Sequence, residues 1–171
     1  LIESDTTWQK AQQKQQTDAL PHVDPASFAK IAQHYRDILS ALAHIDRKKL
    51  TAAERENYDV LQYQATVMAN QIAYKTYEMP VNSDTTFWSE LSSNEGTQFT
   101  TEKDYQNALK RLSDIPRYFQ EQTTNMRAGL KRGFTAPHVT LVGRENGIRQ
   151  IADAKTPETT AFFAPFRHYP D

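Results

Sequence analysis

The sequence predicts an all-α protein: an irregular bundle of about five helices, with one antiparallel helical hairpin and one long loop. Three observations predict it. Apolar residues recur at steps of three and four over long stretches, the signature of a helix face turned to a core. Asp, Ser and Thr stand at capping distance ahead of those stretches, and prolines punctuate them. No apolar–polar alternation is long enough for a paired strand, so no sheet beyond a stray bridge is expected.

Residues 1–20 are rich in Gln and Lys, with Trp8 and Leu20 as the main apolar anchors. They read as a polar surface helix or an N-terminal arm, and residues 21–171 as the helical domain. Pro21 and Pro25 mark the boundary, and Asp24 or Ser27 is placed to cap the next helix. Phe28, Ile31, Tyr35, Ile38, Leu42 and Ile45 then share one face, with Lys30, Gln33, Arg36 and Asp37 opposite. Thr51-Ala52-Ala53-Glu54 has the form of a capping box. It opens a helix whose face carries Tyr58, Leu61, Ala65, Met68 and Ile72 and which is expected to run to about Glu78, before Pro80. The short link through Lys48 and Lys49 makes these two helices a hairpin.

Residues 80–100 form the long loop, with Pro80, Asn82, Ser83, Ser89, Ser92, Ser93, Asn94 and Gly96. Phe87, Trp88, Leu91 and Phe99 interrupt it, and such side chains in a loop are expected to pack on something. Thr100 or Thr101 caps the next helix with Asp104, and Tyr105, Ala108, Leu109 and Leu112 are its predicted inner face. Pro116 kinks or restarts the helix, which continues through Phe119, Met126 and Leu130 to Gly133 as its closing glycine. Pro137 starts a last helix carrying Val139, Val142, Ile148 and Ile151, weakened by Gly143 and Gly147. The tail Phe162-Phe163-Ala164-Pro165-Phe166 is strongly apolar. With Phe87 and Trp88 it is expected to be a surface for sequence outside this chain.

Bulk properties exclude several classes of function. Twenty basic and 21 acidic residues leave a net charge of −1 with no basic stripe, which argues against a nucleic-acid partner. Arg47, Lys48 and Lys49 are the longest basic run and sit where a helix should end, suited to its dipole. There is no cysteine, hence no disulfide, thiolate metal site or Cys nucleophile. No segment approaches the roughly 20 apolar residues of a membrane span. Mean hydropathy is −0.75 while 11 % of residues are aromatic, a combination that disfavours disorder and leaves an unusually polar surface or a piece with a missing apolar partner. The opening Leu1-Ile2-Glu3-Ser4-Asp5 and the closing His168-Tyr169-Pro170-Asp171 both read as trimmed ends.

The residues assemble no catalytic or metal site that spacing reveals. A hydrolytic zinc site usually puts two His one helical turn apart beside a Glu. His22, His34, His44, His138 and His168 are all farther apart than that, and none precedes a Glu. His34 reads as solvent-exposed on a polar flank, and His44 as a partner for helix-end carbonyls. No Gly-x-Ser-x-Gly elbow is present, and the glycines around Gly143-Arg144-Glu145-Asn146-Gly147 lack the Lys-Ser/Thr of a phosphate loop. The acidic pairs Glu54/Glu56 and Glu102/Asp104 sit at helix starts, where capping explains them. Arg127, Lys131, Arg132, His138 and Arg144 form the densest polar cluster. It reads either as a cationic cleft wall or, the preferred reading, as a solvated helix end.

Four runs carry a resemblance: Ile45-Asp46-Arg47-Lys48-Lys49-Leu50, Tyr105 to Leu112, Ile115-Pro116-Arg117-Tyr118-Phe119, and Met126 to Pro137. Across about residues 25–170 the chain resembles the N-terminal part of the bacterial family known as domain of unknown function 885. Its most specific element is the run of Arg127, Gly129, Gly133 and Pro137. The resemblance implies a gluzincin-type zinc peptidase, often exported or lipid-anchored, whose His-Glu motif lies in the C-terminal half of a longer chain. No catalytic, cofactor-binding or metal-binding residue transfers to positions here, since nothing matches that motif. The implied role is a helical scaffold beside the catalytic half, walling the cleft for a peptide-like substrate. Zinc is then expected in that other half, and the location periplasmic or extracellular, with lipid anchoring ahead of residue 1 as an option. The alternative is a free-standing helical binding module.

Overall fold

The computed structural model describes residues 1–15, 17–89, 91 and 99–168. Ser92, Ser93, Asn94 and Gly96 of the long loop, the His168 side chain and residues 169–171 lie outside the described residues. Among the described residues the protein is all-α, with one isolated antiparallel bridge between Val81 and Thr86. Five helices are at least 12 residues long: α1 (Ile2–Gln15), α2 (Pro25–Ala43), α3 (Ala52–Ala73), α4 (Glu102–Ser113) and α5 (Ile115–Lys131). Two short ones follow, α6 (His138–Leu141) and α7 (Asn146–Ala152). The chain forms two compact units, Leu1–Tyr77 and Glu78–Asp171.

The first unit is built on the α2–α3 hairpin. Tyr35, Ile38, Leu42, Leu61 and Ala65 form its buried core, with Ile31, Leu39, Tyr58 and Ala69 packed around them. Ala65 is completely buried, and its small side chain leaves room for α2 beside it. Asp24 caps α2 by accepting from the amides of Ala26 and Ser27. The Ser27 hydroxyl bond, ahead of those amides, holds the Asp24 carboxyl below its ordinary pKa.

Thr51 and Glu54 complete the capping box of α3, each accepting from the other's amide. Thr51→Ala is expected to cost about 1 kcal/mol of unfolding free energy, most of it restored by Thr51→Ser. Urea denaturation of the three proteins measures this. The basic run differs from the dipole reading. The α2 helix has already ended at Ala43, and Arg47–Lys49 make their own 3-10 turn under an Asp46 cap. From there Arg47 reaches forward to grip Asp59 through two bonds of 2.6 and 2.8 Å. The α3 helix stops at Ala73 rather than near Glu78, because Lys75 takes a left-handed φ of 55° that breaks the helical path.

The second unit surrounds α4 and α5. Thr101 caps α4 in a box with Asp104, and Asp114 both closes α4 and precedes α5, so Pro116 restarts the helix in its first turn. Gly133 ends this stretch at φ +74°, as the sequence implied. The last predicted helix is split in two, because Gly143 turns the chain at φ +80° between α6 and α7.

Of the aromatic residues expected to face missing sequence, Phe87, Trp88, Phe163 and Phe166 make ring contacts within this unit. Phe87 meets Trp88, Tyr118 and Phe119 edge-on, and Phe166 packs near Phe99, Tyr105 and Phe163. Edge-to-face pairing lets clustered rings shield one another, and these loop and tail rings are half-buried. Leu109 and Leu130, read as inward, are 56 % and 69 % exposed.

Candidate functional site

The face that α5 buries is polar. Tyr118, Gln122, Asn125 and Gly129 recur at steps of four, three and four, and all are buried. Gln122 donates to the Tyr118 hydroxyl at 3.1 Å, and that hydroxyl donates to the Phe87 carbonyl at 3.4 Å. Beside this seam Glu78, 6 % exposed, is paired with Arg132, whose guanidinium lies 4.3 Å from the centre of the Phe134 ring. A buried carboxylate needs such a partner, since leaving its charge unpaired costs several kcal/mol.

Gly129 lets these parts meet. A β-carbon there would stand 2.6 Å from the Glu78 carbonyl oxygen and 2.8 Å from that of Phe134. The Phe134 amide in turn donates to the Gly129 carbonyl at 2.9 Å, folding the chain back on the helix end. The Arg127–Pro137 run thus has a structural meaning: one glycine accepts two backbone carbonyls, and the next closes the helix. No buried side-chain nitrogen or oxygen among the described residues lacks a partner, so the seam is saturated. It is built to hold geometry.

Outside the seam, the predicted cationic cluster divides. Arg132 is engaged by Glu78, and Arg144 donates to the Thr140 carbonyl at 3.4 Å. Arg127, Lys131 and His138 are exposed, and no acidic residue occurs between Met126 and Arg144. At the N-terminal end of α5, Arg117 bridges Asp114 and Glu121, its own pKa raised first by the Asp114 bonds. An apolar cavity of about 190 Å³ lies in the same unit, lined by Trp88, Ile115, Phe119, Ile148, Ile151 and Phe162, among others.

The histidines are dispersed. His44 donates from Nδ1 to the Ser40 carbonyl at 2.7 Å, the helix-end contact its position implied. His22 is exposed. His34 departs from the exposed reading: its Nε2 is 2.8 Å from the Asp5 carboxylate, and its ring stacks on Trp8 at 4.0 Å. Asp5 is 8 % exposed and also accepts from Gln9 at 2.8 Å, so it anchors α1 to α2. This cluster escaped the sequence reading because its three residues come from two helices. The available signal was the spacing of Asp5 and Trp8, one turn apart.

A zinc ion needs about four ligands converging on one point. Within either unit taken by itself, no three His, Asp or Glu side chains among the described residues bring ligand atoms together. No helix among the described residues is long and apolar enough to cross a membrane.

Comparison with known proteins adds one finding. The family model described as "Bacterial protein of unknown function (DUF885)" matches residues 6–171. No curated protein and no solved structure matches the chain.

Proposed function

The chain belongs to the DUF885 family of bacterial proteins, and on that premise we propose that residues 1–171 are the non-catalytic helical scaffold of a zinc-peptidase-like hydrolase. The catalytic half, with its zinc ligands, lies in sequence outside these residues, and this chain walls its cleft. The observation that carries the reading is the family match over residues 6–171, joined to the gluzincin-like character that the resemblance implies. The saturated seam of Tyr118, Gln122, Asn125, Glu78 and Arg132 supports it, because a wall must hold shape without doing chemistry. The exposed Arg127 and Lys131 add positive charge suited to the carboxylate of a peptide-like substrate. A periplasmic or extracellular location, with a lipid anchor ahead of residue 1, belongs to the same proposal.

The test is peptide hydrolysis by the full-length polypeptide and by residues 1–171, each with and without chelator. The full-length protein is expected to cleave peptides in a chelator-sensitive way, and residues 1–171 to cleave none. Chelator-sensitive cleavage by residues 1–171 alone overturns the proposal. A free-standing binding module is the second reading, favoured by two groups of aromatic rings within the second unit, Phe87 with Tyr118 and Phe119, and Phe166 with Phe99 and Phe163. Under it, the reading frame stops near Asp171.

A further inference from the structure

The apolar cavity of the second unit is built from stretches far apart in the sequence. The long loop supplies Trp88, α5 supplies Ile115 and Phe119, α7 supplies Ile148 and Ile151, and the tail supplies Phe162. Trp88 and Phe162, both read from the sequence as facing something outside the chain, thus line one space. No lining side chain carries a charge, a hydroxyl or an amide, and the Trp88 indole N–H is the one polar group. Phe87, outside the lining, braces two of its rings edge-on, Trp88 at 4.8 Å and Phe119 at 5.0 Å. The α7 helix comes so close to Trp88 that a β-carbon on Gly147 would stand 3.4 Å from the indole nitrogen. Rings packed in this way keep their positions rather than swinging inward to fill the space.

The cavity measures about 190 Å³. Interiors normally hold few voids larger than a water molecule. Water is a poor occupant here, because a buried water needs roughly two to four polar partners and the walls offer one donor. An engineered apolar cavity of about 150 Å³ stays dry and takes benzene. We propose that the cavity is a binding site for one uncharged apolar group of phenyl size, with room for about one or two carbons beyond the ring. A charged group is excluded, since no lining residue offsets the loss of its hydration. A helix is excluded by its width, about 10 Å with side chains. Entry is available, because Ala152 in the lining is exposed and the other lining residues are half-buried. The same chemistry comes from two sources, a free aromatic molecule or a phenylalanine side chain in a peptide. The site stands apart from the scaffold reading, and only the peptide source joins the two.

The chain has two tryptophans, so nitrogen-15 NMR of residues 1–171 shows two indole N–H peaks, one from the cavity and one from Trp8 beside His34. Trp88→Phe identifies the cavity peak. Titration with toluene is expected to shift the Trp88 peak saturably, with a Kd of about 1 mM or tighter, and to leave the Trp8 peak in place. Benzylammonium, similar in size but charged, is expected to bind at least roughly tenfold more weakly. Ala152→Leu and Ile151→Phe each add volume to the lining and are each expected to weaken toluene binding at least roughly tenfold. Ala152→Leu decides if Ile151→Phe does not fold, because residue 152 is exposed. A parallel titration with N-acetyl-phenylalanine amide assigns the source. Binding as tight as toluene or tighter supports the site with a peptide side chain in it, and weaker binding supports it with a free aromatic molecule. An unmoved Trp88 peak at the solubility limit of toluene overturns the proposal, as do equal shifts at both tryptophans. So does benzylammonium binding as tight as toluene, or undiminished toluene binding in every folded variant.

Discussion

Leu61→Ala is expected to destabilise the protein by about 2–5 kcal/mol, the range for emptying a buried leucine site. Leu61 is 6 % exposed and belongs to the cluster with Tyr35, Ile38, Leu42 and Ala65. Two features push the cost above a simple transfer term. Ala65 offers no side chain able to swing into the gap, and the Tyr58 ring is tied by its hydroxyl to the Leu42 carbonyl at 3.3 Å. The cavity therefore stays open, and its volume adds to the lost burial. Chemical denaturation followed by circular dichroism reads the effect. A loss below about 1 kcal/mol, as for a surface position, would show that the hairpin core is not packed as described.

Gly129→Ala is expected to destabilise by about 3 kcal/mol, the upper end for overpacking. Helix propensity alone argues the other way, since Ala is better than Gly in a helix interior by about 1 kcal/mol. The contacts decide the sign. The new β-carbon would meet two backbone oxygens, those of Glu78 and Phe134, at 2.6 and 2.8 Å. Backbone cannot rotate away as a side chain can, so either the turn at Glu78 or the fold-back at Phe134 has to shift. Either movement also strains the Glu78–Arg132 pair. Gly133→Ala provides the comparison: no atom lies within 4 Å of its β-carbon, and the cost arises from φ +74° alone. A stabilised Gly129→Ala protein would refute the close approach.

The sequence made the hairpin legible because its core is apolar and local. Ile31, Tyr35, Ile38 and Leu42 repeat along α2 with polar residues between them, and Thr51 with Glu54 announces the start of α3. The inner face of α5 was not legible by the same rule. Its period is helical, but its members are Tyr118, Gln122, Asn125 and Gly129, while Met126 and Leu130 point outward. A hydrophobicity pattern assigns amides to water, and only tertiary partners make their burial tolerable. The role of Glu78 was hidden for a related reason. Its partner Arg132 is 54 residues away, and nothing local distinguishes that arginine from Arg127 or Lys131. The family resemblance rested on Arg127, Gly129, Gly133 and Pro137. The structure explains two of the four directly, Gly129 as a close-packing position and Gly133 as a left-handed helix end.

The scaffold reading predicts a division of labour between this chain and the rest of its polypeptide. Zinc content tests that division most directly. The full-length polypeptide and residues 1–171 are purified side by side without added metal and analysed by plasma mass spectrometry. Stoichiometric zinc in the full-length protein and none above background in residues 1–171 is the predicted result. Stoichiometric zinc in residues 1–171, or its absence from a folded full-length protein, would contradict the account.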